Sequence, residues 1–378
     1  MSEASVLQVY KHRPGDTANM QKGEVMGATI KDIARETGLG LATISSYLNG
    51  GNVREKNRIK IEAAIEALHF EVNETARGLK TNKTKTIGIV IPELNNVFCA
   101  EIISEAEDIL RQNGYAAMLC DCRSDVHREA EAIEFLLHKR VDGLLIMPTG
   151  EHSEKLTAFS TQKRPVVLID RKVRGVEYDS VLADNEGAAK EAVKRLAEAG
   201  HTKIGLIAGP QEIYTASARN WGFQKAMMEA GLKLTDSMMV CGDYTIKGGA
   251  RAMKQLHETH PDMTAVLISN YEMTVGAMIE INETGIRVPE ELSIIGFDNL
   301  EFAKAISPSL SIMTQPTRQM ATAAVELLLK RLDGDTDTPV QTVILPTEYV
   351  KGRSIKTIGA GCTDGKQGGT AHTMGGTT

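Results

Sequence analysis

The sequence predicts a small all-helical headpiece followed by an α/β body made of two doubly wound parallel sheets. Three observations carry this expectation. Up to about residue 85 apolar residues recur only at helical spacing, as in Ile30, Ile33 and Ala34. Beyond it, short near-continuous runs of Val, Ile and Leu alternate with amphipathic stretches, the pattern of parallel strands covered by helices on both faces. Seven such runs between residues 86 and 298 exceed one comfortable sheet, so the body should divide into two lobes with a cleft between their strand ends.

Residues 1–28 are polar without a sustained period and read as a disordered extension, within which Met20 or Met26 could each be an alternative start. Helices are expected over 30–36, 41–48 and 54–68, the last burying Ile59, Ile61, Ala64, Ile65 and Leu68. The unit 29–72 is followed by a short segment and linker, 73–84, and then by the body, 85–356. Its strand runs are TIGIVIP (86–92), YAAMLCD (115–121), GLLIMP (143–148), PVVLID (165–170), KIGLIAG (203–209), AVLISN (265–270) and LSIIGFD (292–298). The Gly- and Thr-rich end, 357–378, reads as a disordered tail, and its GCTDGK lacks the spacing of a phosphate loop.

Composition narrows the function. The net charge is -6 and aromatic residues are 4%, which argues against a wholly basic nucleic-acid binder. The charge is nevertheless split: residues 29–85 hold ten Lys and Arg against seven Asp and Glu, and residues 1–28 balance at three each. A modestly basic head on an acidic body can meet a polyanion at one end only. Neither a secretory apolar run nor a membrane-length stretch is present, so a cytoplasmic protein without membrane contact is expected. The five cysteines lack a CxxC pair, and the spacing in Cys120-Asp121-Cys122 is too tight for the usual zinc pattern, so no metal is expected. No nucleophile–base constellation or cofactor fingerprint occurs, so neither an enzyme nor a cofactor is expected.

The head has the parts of a helix-turn-helix. Ile30, Ile33 and Ala34 brace, Gly38 turns, and Ile44 and Leu48 bury the inner face of the second helix. Its outer face presents Leu41, Ala42, Thr43, Ser45 and Ser46. These are small groups that let a helix sit deep in a major groove, with hydroxyls for phosphates or base edges and apolar atoms for thymine methyls.

From residue 29 to about 356 the chain resembles the LacI/GalR transcriptional regulators. The resemblance rests on TIKDIARETGLGLATISSYLNG and on IEAAIEALHFEVNETARGLKTNKTKTIGIVIPELNNVF. It continues through VDGLLIMP, VVLIDR, DNEGA, AGHTKIGLIAGP, SARNWGF and VPEELSIIGFDN to Gln315-Pro316. It implies that Leu41 and Ala42 select bases, that Thr43, Ser45 and Asn49 contact the DNA backbone or support the helix, and that Thr29 and Ser46 join them. It likewise identifies Asn73 to Lys80 as a hinge helix, with Leu79 the apolar wedge for a minor-groove step and Ala76 the small residue beside it; Asn73 is a further DNA contact. So short a helix cannot stand alone in water and should form only when two copies pair on DNA. Three departures bear on this: Gly40 removes an N-cap hydroxyl, Ser46 stands where a long donor is frequent, and Glu74 puts an acid near phosphates.

For the body the resemblance implies two lobes of the periplasmic-binding-protein-like type I kind, closing on a small effector. The implied effector residues are Phe98, Asp170, Arg171, Arg219, Trp221, Tyr244, Asn270, Asp298 and Gln315. Carboxylates and guanidiniums suit vicinal hydroxyls, so a sugar or sugar phosphate is the first expectation and a nucleoside the second. Tyr271 and Val97 depart from the usual Asp and Pro, and leave the ligand open. The expected whole is a homodimeric repressor binding a palindromic double-stranded operator under effector control. A tetramer is disfavoured because the tail has no leucine heptads. A two-lobed solute-binding receptor and a sugar-acting enzyme remain the alternatives.

Overall fold

The computed structural model describes residues 28–70, 83–150, 154–298 and 300–358. The expected hinge, with Asn73, Ala76 and Leu79, lies outside these residues, as do the N-terminal extension up to residue 27 and the tail from residue 359. Head and body form separate compact units.

The head is three helices around a small core: α1 (Ile30–Thr37), α2 (Leu41–Leu48) and α3 (Glu55–Ala67). Asp32 closes the start of α1 by accepting from the Thr29 N–H at 2.9 Å and its hydroxyl at 2.6 Å. Gly38 ends it in the left-handed region (φ 66°), where its N–H caps the Ala34 carbonyl. This is the conformation that lets the chain turn sharply into α2. Ile33, Ile44 and Ile61 are wholly buried, one from each helix, with Ala64 beside them. Each buried isoleucine contributes about 1.5–3 kcal/mol, so these three hold most of what so small a unit has. Ile59 is a correction: it is 58% exposed. At 100° per residue it stands about 200° from Ile61 and cannot share that face.

The body runs β1 (Thr86–Ile91), α4 (Val97–Gln112), β2 (Ala116–Asp121), α5 (Val126–His138), β3 (Gly143–Ile146), α6 (Thr157–Thr161), β4 (Val166–Ile169) and β5 (Asp179–Ala183). It continues with α7 (Asn185–Glu198), β6 (Ile204–Ala208), α8 (Tyr214–Glu229), β7 (Met239–Cys241), α9 (Ile246–Thr259), β8 (Ala265–Ile268) and α10 (Tyr271–Thr284). The last elements are β9 (Ser293–Phe297), α11 (Leu300–Ala305), β10 (Ser311–Thr314), α12 (Thr317–Leu332), β11 (Thr342–Leu345) and β12 (Glu348–Val350). Two six-stranded sheets result, ordered β11-β5-β4-β3-β1-β2 and β12-β10-β9-β8-β6-β7. The strands pair in parallel except for β12 against β10.

The chain therefore passes between the lobes three times, after β5, between β10 and α12, and between β11 and β12. Each of the seven apolar runs contains a strand. The run containing β4 ends at Asp170 and the run containing β9 at Asp298, so both carboxylates stand at strand ends facing the cleft. Past residue 356 the chain still packs on the body, where the Ile358 N–H donates to the Ala199 carbonyl at 2.7 Å.

Candidate functional site

In the head, α2 turns its outer face to solvent: Leu41 is 46% exposed, Ala42 is exposed, and Thr43, Ser45 and Ser46 are half-buried. No side chain caps its start at Gly40, so the positive end of the helix and its first N–H groups face whatever approaches. A phosphate is the natural occupant of such an end. Asn49 donates to the Ser45 carbonyl at 2.6 Å, which ties off the other end of the helix. Tyr47 donates to Glu62 at 2.9 Å, fixing α2 on α3. Thr29 spends both donors on Asp32, so it positions α1.

In the body, one cavity of about 60 Å³ between the lobes brings together Phe98, Asp170, Arg171, Arg219, Tyr244, Asn270, Asp298 and Gln315. Each is held by its backbone or its neighbours. Asp170 (φ 68°), Tyr244 (φ 61°) and Asp298 (φ 58°) all occupy the left-handed region, at a cost of about 1–3 kcal/mol each, so the fold spends stability to aim them. The ring of Tyr244 lies where Gly209 leaves room, for a Cβ there would sit 2.1 Å from the ring. Arg219 donates to Asn185 at 2.7 Å and to the Ser269 carbonyl, and its guanidinium stacks 4.2 Å from the centre of the Phe297 ring. Arg171 donates to the Pro148 carbonyl at 3.0 Å and lies 3.4 Å from Asp170. Behind that turn the buried Glu129 accepts from the Thr149 N–H, bracing the loop that holds Arg171.

Gln315 sits at the second passage between the lobes and donates to both Asp298 oxygens at 3.1 Å. Burial pushes the Asp298 carboxyl up to about 6, although Arg219 and Gln315 pull it down. Burial raises the Glu272 carboxyl and the Tyr244 hydroxyl as well. Six buried side-chain polar atoms among the described residues lack a hydrogen-bond partner, and four of them line this cavity: Asp170 Oδ1, Tyr244 Oη, Gln315 Oε1 and Arg171 Nε, the last keeping only its ion pair with Asp170. Orphaned buried polar atoms cost about 1–3 kcal/mol each. Their convergence on one cleft is the signature of a site built to be completed by a polar ligand.

Comparison with known proteins places both parts. Residues 29–73 match the bacterial regulatory proteins of the lacI family, and residues 193–355 match the periplasmic binding protein-like domain. The chain is 34% identical over 313 residues to catabolite control protein A of Priestia megaterium, covering 82% of this chain and 94% of that one. It is 34% identical over 333 residues to the HTH-type transcriptional repressor PurR of Escherichia coli, covering 87% and 97%. The chain belongs to the LacI family. Among solved structures it is similar to a lac repressor dimer bound to operator and the anti-inducer ONPF, with a TM-score of 0.77 at 26% identity over 87% of this chain and 99% of that one. A complex of the transcriptional regulator CelR with cellobiose matches with a TM-score of 0.67 at 28% identity, over 86% and 99%. This LacI-family protein is accordingly a DNA-binding transcriptional regulator with an effector-binding body.

Of the nine effector residues expected from the sequence, the regulator's cleft gathers eight. Trp221 is the correction: it is 59% exposed on α8 and does not line the cavity. Arg219 two residues earlier points inward, and a spacing of two puts Trp221 on the far side of the helix. The structure adds Asn96, Thr215 and Glu272 to the lining. Asn96 had a legible signal, an Asn before an apolar helix start, whose Oδ1 accepts from the Cys99 N–H at 3.0 Å. Glu272 had none, since an acid in a first helical turn is commonplace.

Proposed function

We propose that this LacI-family regulator is a homodimeric repressor that binds a palindromic operator and is controlled by a sugar in the interlobe cleft. The observation that carries the reading is the cluster of partnerless buried polar atoms in a body joined to an exposed recognition helix. Leu41 and Ala42 read base edges in the major groove, favouring thymine methyls because Ser46 offers no long donor. Residues 73–80, which lie outside the described residues, keep the role that the resemblance implies, a hinge paired on DNA with Leu79 as the wedge for the central minor-groove step. Dimerisation is supported by the dimeric state of the similar lac repressor structure and by large apolar residues left exposed on the body, Leu94 at 50% and Leu119 at 39%. A two-fold protein demands a two-fold operator.

An unphosphorylated sugar fits the cleft better than a sugar phosphate. Three carboxylates, Asp170, Glu272 and Asp298, face two guanidiniums that are already engaged, which leaves acceptors for hydroxyl donors and repels an anion. The similar regulator solved with cellobiose supports a carbohydrate. At about 60 Å³ this cavity is far below the ~300 Å³ of typical ligand sites, although a neighbouring cavity of about 390 Å³ shares Phe98, Asp298 and Gln315, and we propose that the lobes move to join the two around a ligand. That motion is what would reach the hinges. Acting on chromosomal DNA places the protein in the cytoplasm, and among the described residues no helix is long and apolar enough to cross a membrane. The test is a thermal-stability titration with neutral sugars, sugar phosphates and nucleosides, followed by operator binding with each hit. A stabilising neutral sugar that alters DNA affinity is the expected result; hits confined to nucleosides would overturn the sugar reading.

A further inference from the structure

Glu272, in the first turn of α10, is a cavity-lining carboxylate that, among the described residues, accepts a hydrogen bond from the opposite lobe. One oxygen accepts from Asn96 Nδ2, at the start of α4, at 2.8 Å. The other accepts from Asn270 Nδ2 in its own lobe at 2.6 Å. The orientation of both asparagines is forced. Asn96 Oδ1 caps the Cys99 N–H and Asn270 Oδ1 caps the Met273 N–H, each at 3.0 Å, so each amide must present its NH₂ to the cleft. The carboxylate gives each amide an oxygen of its own.

We propose that the Glu272 carboxylate is the bolt joining the lobes across the cleft, and that a ligand enters by exchanging one of its own hydroxyl or amine donors for the Asn96 amide. This rests on the reading of the cleft as the effector site. It explains why so small a cavity carries partnerless polar atoms: the bolt holds the lobes close, and a ligand that releases it also reaches Asp170 and Gln315. Because Asn96 is also the cap of α4, which carries Phe98, releasing it frees the start of that helix to shift with the ligand.

The chain supplies its own reporter. Cys99 is 3% exposed in the first turn of α4, beside the cleft, whereas Cys122 is buried in the separate cluster around Ile133 and Phe159. The experiment is N-ethylmaleimide labelling of the full-length protein, without effector or DNA, with each cysteine read by peptide mass spectrometry. Two variants break the bolt differently. E272Q leaves one acceptor and sets a donor against an asparagine amide. N96D keeps the helix cap but sets a carboxylate against Glu272. Both should label Cys99 at least about tenfold faster than the parent while Cys122 stays protected, the weight of one hydrogen bond to a charged group. Unchanged Cys99 labelling in both variants, or a rise matched by Cys122, would overturn the proposal. Since the readout uses neither sugar nor operator, its failure is separable from failure of the effector assignment.

Discussion

Asp298 is held at a strand end in a place that suits its neutral form, and replacing it with Asn exposes the cost. Its ordinary value of 3.8 rises to about 6 through burial. At about 1.4 kcal/mol per pH unit, keeping it ionised at neutral pH costs the folded state about 3 kcal/mol. A carboxyl with a raised folded value stabilises fully below its unfolded value and loses that contribution as pH rises through the folded value, here between about 4 and 6. D298N removes the charge and keeps a residue type that tolerates the left-handed backbone at φ 58°. It leaves Gln315 one oxygen where it now donates to two, a loss of about 1 kcal/mol. The variant should therefore be more stable than the parent by about 1–2 kcal/mol at pH 7.5, and this advantage should vanish by pH 4, while ligand affinity falls. The assay is urea denaturation at both pH values followed by the fluorescence of Trp221, the single tryptophan, which sits in the same lobe as Asp298. Lower stability than the parent at pH 7.5, or a difference that does not change with pH, would refute the reasoning.

Two other outcomes are expected. His201 is buried, with Nε2 donating to the Lys356 carbonyl at 3.0 Å and Nδ1 2.9 Å from the Thr264 hydroxyl, and burial lowers its value below 6.5. A lowered value means stability is present above 6.5 and lost as pH falls through the folded value, so amide protection factors at residues 354–358, which correct for the intrinsic pH dependence of exchange, should fall at pH 5 relative to pH 7.5, and H201Q should flatten that dependence. Leu79→Ala should remove most specific operator binding and bending while leaving sugar affinity unchanged; DNA bending equal to the parent's in a gel-phasing assay would count against the wedge.

What was legible followed from burial pattern. β1, β3 and β4 are buried on both faces and spell it out in Val, Ile and Leu, interrupted only by Gly88 and by Thr86 and Gly143 at the strand starts. β5 is equally buried but opens with Asp179-Ser180, and that reads as a loop. Its aspartate is satisfied by Arg331 at 2.7 and 3.0 Å, a partner 152 residues away that no local pattern reveals. β11 shows half-exposed alternation, and β7 and β12 are three residues each, too short to leave a period. In the cleft, the motif residues at strand ends were found by resemblance. Asn96 was legible as a helix cap, but Glu272 and the bond between the two emerge only when α4 and α10 face each other, and Ile59 and Trp221 fail because helical phase outranks hydrophobicity.

The central claim is that a cleft completed by a sugar controls a head that reads DNA. Its most direct test is fluorescence anisotropy of the full-length protein on a palindromic duplex enriched from random sequence, at two salt concentrations, with and without the sugar that most raises thermal stability. Salt-weakened, sequence-selective binding is expected, with an affinity that the sugar changes by about 5-fold or more, the low end of ordinary allosteric coupling. Binding indifferent to that sugar, or no binding at low ionic strength, would contradict that claim.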